Sequence, residues 1–179
     1  SLSAQDASRA STAPASNVVA RNFLSFGRPY GGWLLMAFDS IPAARYGFRP
    51  TPAQQSVGFI AQHLEGANYG LCSLFGATKH VMTAKDSLAD TVKALWPKDT
   101  LIARVRASLV FCAAAIEGLS DASLADTLMA DTPGGPVAVL RMRYPLLLVT
   151  DLAEHYSQIS NYMRLLGLVP PSALPAVKR

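Results

Sequence analysis

Asp151-Leu-Ala-Glu154-His155-Tyr-Ser-Gln158-Ile-Ser-Asn-Tyr162-Met-Arg-Leu-Leu-Gly167-Leu-Val-Pro170-Pro171 is the stretch that decides the fold. It reads as the last helix of a bundle. Pro145 suits a first helical position, Gly167 suits a left-handed cap, and the Pro170-Pro171 pair forbids continuation. At about 100° per residue, Leu148, Leu152, Ile159, Met163 and Leu166 form one apolar stripe. Glu154, Ser157, Asn161 and Arg164 fall on the opposite, wet face. Asp151, His155, Gln158 and Tyr162 share a row along the edge of the stripe. A carboxylate and an imidazole beside a core need a partner, because an unpaired buried charge is costly. A metal ion is one such partner; a hydrogen-bonded Asp–His pair is another.

Upstream, Asn17 to Gly27 predicts a short helix that Gly27 ends and Pro29 restarts. Tyr30, Trp33, Leu34, Ala37, Phe38 and Ile41 then recur at helical spacing. Gly31 and Gly32 within that run suit a close approach of another backbone. Thr51-Pro-Ala-Gln54 has the form of a capping box with proline at the first helical position, which predicts a helix over 52–75. Its stripe is Val57, Ile60, Leu64, Ala67, Leu71 and Leu74, a bundle-like repeat. His63 lies roughly 70° from the stripe's centre on the helical wheel. Ser87-Leu-Ala-Asp90 predicts a short helix to Trp96, and Asp99 is expected to cap a longer one. Leu101, Val105, Leu109, Cys112, Ile116 and Leu119 are its core positions. Residues 120–143, centred on Pro133-Gly-Gly-Pro136, read as a long irregular connection with one helical turn and strand-like alternation only at Val137 to Met142. A connection of that length is more often functional than idle. The sum is four main helices, near 29–41, 52–75, 99–118 and 144–166.

The 179 residues favour one domain, and with half of them hydrophobic and 16% charged the chain is not a disordered one. No apolar run reaches the roughly 18–20 residues of a membrane span. The net charge of +4 comes from scattered Lys and Arg, which excludes a nucleic-acid footprint. Arg141 and Arg143 read as a solvated face, and His80 as a surface residue. Two cysteines make no disulfide framework. Cys72 and Cys112 read first as buried inert thiols, with a mutual bridge or a reactive thiol as alternatives. The domain reading is a tail over 1–16, a helical domain over 17–172 and a tail over 173–179. The Ser- and Ala-rich opening suits a disordered tail or the segment behind a cleaved export signal. The expected compartment is cytoplasmic, with export as the alternative.

Two segments carry a family resemblance. Ile41-Pro-Ala-Ala-Arg45-Tyr-Gly-Phe-Arg-Pro50-Thr-Pro52 with His63-Leu-Glu-Gly-Ala-Asn68-Tyr69, and Glu154-His155-Tyr156-Ser-Gln158 with Tyr162-Met-Arg164, Gly167 and Pro170-Pro171, resemble the DinB-like (YfiT-like) family. The resemblance covers roughly Asn17 to Ser172. It implies an all-α four-helix bundle with up-down-down-up connection and a homodimer. It also implies one divalent metal held by three histidines, one in the second helix and a pair in the last. These positions fall on His63, Asp151 and His155, so an aspartate replaces one histidine. Two histidines and a carboxylate remain a competent ligand set for Zn, Ni, Mn or Fe, and the carboxylate shifts preference toward the harder metals. Three protein ligands leave room for water or substrate, which marks a catalytic site.

The expected function is therefore a metal-dependent thiol S-transferase or hydrolase acting on a small molecule. The competing reading is a non-catalytic bundle that binds a small ligand or a partner, or acts in a stress response, with Asp151 merely orienting His155. Gln158, Tyr162, Asn68 and Trp33 are the candidates for lining the site. For Asn68 a helix-packing hydrogen bond is an equal alternative, and Trp33 and Tyr162 read first as core aromatics. Tyr69 and Tyr156 read as core fillers, and Glu154 points away from His155. No nucleophile stands out.

Overall fold

The computed structural model describes residues 16–175, so the expected tails fall mostly outside the described residues. Four long helices carry the fold: α1 (Val18–Ser40), α2 (Val57–Phe75), α4 (Lys98–Glu117) and α6 (Arg143–Leu165). The single turns α3 (Asp90–Lys93) and α5 (Asp121–Leu124) lie between them, together with a hairpin of β1 (Thr127–Ala130) and β2 (Val137–Leu140). No helix among the described residues is long and apolar enough to cross a membrane.

The connectivity follows from which residues meet. α1 packs on α4 and α6, and α2 packs on the same two, so α1 and α2 sit on a diagonal. Arg28 pairs with Glu117 and Lys98 reaches the Asp39 carbonyl, so α1 and α4 are antiparallel. Glu65 meets Arg104, Asn68 meets Ser108 and Cys72 meets Cys112, so α2 and α4 are parallel. Gly27 faces Val149 and Leu152, and Trp33 faces Tyr156, so α1 and α6 are parallel. The result is the up-down-down-up order that the resemblance implies. Leu34, Phe38, Ile60, Leu64, Leu101, Val105, Ile159 and Met163 fill the core at the positions given by the sequence periodicity.

Several local expectations are corrected. The break at Gly27 and Pro29 is absent, and α1 runs unbroken through Pro29. Pro29 and Ser25, whose carbonyl loses its helical partner, are both exposed, so water replaces the missing hydrogen bond. Gly31 faces α4, where a Cβ would sit 3.1 Å from Leu109; its small size serves packing. α2 begins at Val57, not Pro52, with the Ser56 hydroxyl accepting from the Phe59 amide at 3.2 Å. Thr51 and Gln54 close a turn instead, because the preceding loop itself caps the helix. The Val57 and Gly58 amides donate to the Phe48 and Tyr46 carbonyls, and a Cβ at Gly58 would collide with the Ala94 carbonyl at 2.3 Å. The Ser87–Trp96 helix shrinks to Asp90–Lys93. Asp99 lies inside the first turn of α4, whose cap position is Pro97. Residues 120–143 are more regular than expected: Ser120 and Ser123 form a capping box, and Thr127 pairs with Leu140 across the hairpin. Arg141 is not a solvated face residue. It donates to the Phe75 carbonyl at 2.9 Å and pairs with Asp126.

At its end α6 behaves as read. Gly167 adopts φ +75°, the Leu168 amide donates to the Met163 carbonyl, and the Gly167 amide donates to that of Arg164. This is a Schellman cap, which only a residue tolerant of the left-handed region closes cheaply. The start of α1 is capped from far away. Asp121 accepts from the Val18, Val19 and Ala20 amides and from the Ser16 hydroxyl. The Ser16 hydroxyl first, with those amides, holds the Asp121 carboxyl below its ordinary value.

The cysteines are bonded to each other: a Cys72–Cys112 disulfide joins α2 to α4, and no cysteine is free among the described residues. The expectation of inert thiols is thus corrected. Parallel helices brought Cys72 and Cys112 opposite each other, with Cα atoms 5.3 Å apart.

Two outcomes are expected. Reducing the disulfide, which closes a loop spanning 40 positions, lowers the unfolding free energy by roughly 2–4 kcal/mol; denaturant melts with and without reductant measure this, and coincident curves would count against the bond. Asp121→Asn lowers the melting temperature at neutral pH. Because the folded carboxyl titrates below its unfolded value, that advantage of the native residue fades as pH falls below about 4; thermal melts from pH 7 to 3 check the trend.

Candidate metal centre

Antiparallel packing of α2 on α6 brings His63 opposite Asp151 and His155. One ligand atom from each lies within 4.8 Å of the other two. The two imidazoles meet edge to face with centroids 5.0 Å apart. Asp151 Oδ1 is 3.5 Å from His155 Nε2. His155 is buried, while His63 and Asp151 are half-buried, so the group is reached from solvent on one side.

A line of hydrogen bonds runs from this group along α6. His155 Nδ1 lies 3.2 Å from Gln158 Oε1, Gln158 Nε2 donates to the Tyr162 hydroxyl at 3.1 Å, and that hydroxyl donates to the Gln55 carbonyl at 3.0 Å. Gln158 Oε1 only accepts, so it fixes the proton on His155 Nδ1 and leaves Nε2 as a lone-pair donor directed at the cluster. Burial pushes the His155 pKa down, but the Asp151 carboxylate and the Gln158 carbonyl outweigh it, and the net shift is upward.

The residues fit a divalent cation. Asp151 Oδ2 is buried without any hydrogen-bond partner, which in a stable protein calls for a charge to meet it. Imidazole nitrogen and carboxylate oxygen are ordinary donors to Zn, Ni, Mn and Fe. The Gln158 contact to the far ring nitrogen is the outer support that metal-bound histidines commonly have.

The four candidate lining residues separate. Gln158 and Tyr162 belong to the line just described. Asn68 does not: it is fully buried and donates to Ser108 Oγ at 2.9 Å, tying α2 to α4. Trp33 packs on Tyr156 and Tyr30, with centroids 5.2 and 5.6 Å away, and belongs to the α1–α6 seam. Glu154 is exposed, as its helix angle requires.

A second polar cluster lies on the α2–α4 side. Arg104 binds Glu65 and Asp86 together, with Nε donating to Glu65 Oε2 at 2.8 Å. His80 is half-buried, stacked on Tyr69 at 3.6 Å and 3.4 Å from Asp86, so the surface reading of His80 is corrected. Burial raises the Asp86 pKa, but hydrogen bonds from Thr83, Arg104 and His80 overcome this and leave it well below the usual carboxylate range. Sequence reasoning missed the cluster. Glu65 interrupting an apolar face was its one visible sign.

A profile of the DinB superfamily matches residues 33–159. Among curated proteins no sequence matches significantly. Similar solved structures include a DinB-like protein from Bacillus cereus ATCC 10987, with TM-score 0.65 and 17% identity over 88% of this chain and 97% of that one. A conserved protein from Enterococcus faecalis has TM-score 0.61 and 15% identity, over 83% of this chain and 96% of that one. A mycothiol-dependent maleylpyruvate isomerase has TM-score 0.60 and 12% identity over 78% of this chain; the likeness spans 59% of the isomerase.

Tyr162→Phe is expected to cost about 1 kcal/mol, because it strips the Gln55 carbonyl and the half-buried Gln158 amide of their shared partner. Urea melts measure the loss, with far-UV circular dichroism unchanged.

Proposed function

The chain belongs to the DinB superfamily, and we propose that it is a metal-dependent enzyme acting on a small molecule, with His63, Asp151 and His155 as the ligands of one divalent ion. The observation that carries the reading is the buried, unpartnered Asp151 Oδ2 beside two convergent imidazoles. When bound, the ion would lower the pKa of a water or thiol, or polarise a substrate carbonyl. The chain's own residues do the rest. Gln158 holds His155 in the tautomer that presents Nε2. Tyr162 anchors Gln158 to the start of α2, so ligand orientation is tied to helix packing. The half-buried His63 and Asp151 leave an approach for substrate. Thiol transfer is the first chemistry to assay, because one structural relative is a mycothiol-dependent isomerase; hydrolysis is the second. A homodimer is the proposed assembly.

Use of both cysteines in a disulfide favours an oxidising compartment, and hence the exported alternative over the cytoplasmic one.

Inductively coupled plasma mass spectrometry on untagged protein, purified without added metal, tests the site. About one equivalent of a transition metal is expected, and His155→Ala is expected to lose it. Absence of metal even after incubation with Zn, Ni, Mn and Fe(II) would sink the enzyme reading and favour a non-catalytic bundle in which Asp151 pairs only with His155.

A further inference from the structure

A cavity of about 260 Å³ opens at the seam of α1, α4 and α6. Its wall is apolar: Leu24 and Leu35 from α1, Leu109 and Ile116 from α4, Leu148 and Leu152 from α6. It reaches inward to Cys112 of the disulfide and outward to the exposed Val110. It shares no lining residue with His63, Asp151 or His155, so it stands apart from the candidate metal centre.

The glycines of α1 make the space. Gly27, Gly31 and Gly32 all border it. Gly27 and Gly31 approach Val149 and Leu109, whereas a Cβ on Gly32 would meet nothing within 4 Å. The helix accepts these glycines despite their cost of up to about 1 kcal/mol each. An engineered apolar void of about 150 Å³ already binds benzene. The space here is larger and open to solvent at one side, so a ligand's apolar body can enter it.

The mouth is cationic. Arg28 and Arg106 both border the cavity. Arg28 shares an exposed ion pair with Glu117. Arg106 has no ion-pair partner among the described residues. Arg21 extends the positive rim into the adjoining groove, where Glu117 is the one carboxylate. An apolar slot with an unpaired guanidinium at its entrance matches a ligand with a compact apolar body and one anionic end.

We propose that this cavity binds a small hydrophobic carboxylate, a medium-chain or aryl acid, with its apolar body between α1, α4 and α6 and its carboxylate on Arg106. The Gly32 gap admits the body, and Arg106 selects the charge.

Isothermal titration of the full chain with octanoate, octan-1-ol and octylamine tests the assignment. Saturable 1:1 binding of octanoate, tighter than octan-1-ol, with no binding of octylamine, is the expected result. Gly32→Leu fills the mouth and Val110→Trp covers it from α4; each should weaken octanoate by at least about tenfold while the melting temperature shows that the variant folds. Arg106→Gln should weaken octanoate roughly tenfold and leave octan-1-ol unchanged. Absence of saturable octanoate binding overturns the proposal. So does binding that both mouth variants leave intact. A dimer that Gly32→Leu splits would make the groove an interface between copies, and would also overturn it. Metal content is read separately, so failure here does not bear on the metal centre.

Discussion

The hydrogen bond from the Tyr162 hydroxyl to the Gln55 carbonyl is the constraint on which the candidate site depends. Gln55 precedes α2 and its carbonyl has no helical role. Tyr162 is buried, so the packing of its ring fixes where the hydroxyl lies. It sets the last turns of α6 against the first turn of α2. Two further turns back along the same face, that registration puts Asp151 and His155 opposite His63. A polar line inside a bundle is costly when any member lacks a partner. Here each link from His155 to Gln55 is satisfied, and Asp151 Oδ2, one of five buried side-chain atoms without a partner among the described residues, sits where the three candidate ligands meet.

The α2–α4 side is held differently. Two parallel helices there share a disulfide, a buried Asn68–Ser108 bond and the Glu65–Arg104–Asp86 group. All three joints link residues about 40 positions apart or are bridged through the α2–α4 connection. Parallel neighbours need that long return segment, and the return segment is where His80 and Asp86 come from. The covalent bond and the ion cluster therefore fix the seam that helix geometry alone leaves without a short connecting loop.

Long, periodic segments were legible in the sequence. α6, α4 and the body of α2 have one apolar face each, and that face is buried, except that Leu74, the last position of the α2 stripe, is exposed where the helix ends. The ends were less so. Thr51 to Gln54 has the residues of a capping box, but those residues equally close a turn, and the loop carbonyls of Tyr46 and Phe48 decided between them. Pro29 reads as a breaker because a sequence does not show that the Ser25 carbonyl faces water. The row of Asp151, His155, Gln158 and Tyr162 was visible from spacing alone. Its joining to His63 needed the family resemblance, and its end at a backbone carbonyl had no side-chain signature. Cys72 and Cys112 were both visible as core positions, but pairing them required the relative direction of two helices, which no local pattern encodes.

The cap on α1 has a consequence for how the chain is made. Val18 to Ala20 present their amides to a carboxylate that follows by more than a hundred positions. At a synthesis rate of about 5–20 residues per second, α1 leaves the ribosome roughly 5–20 seconds ahead of Asp121. During that interval its first turn has no partner, and its glycines and Pro29 make it a weak helix alone. The first helix in the chain is thus completed among the last, and its N-terminal turns stay open to cellular folding factors until the α5 turn arrives to close them.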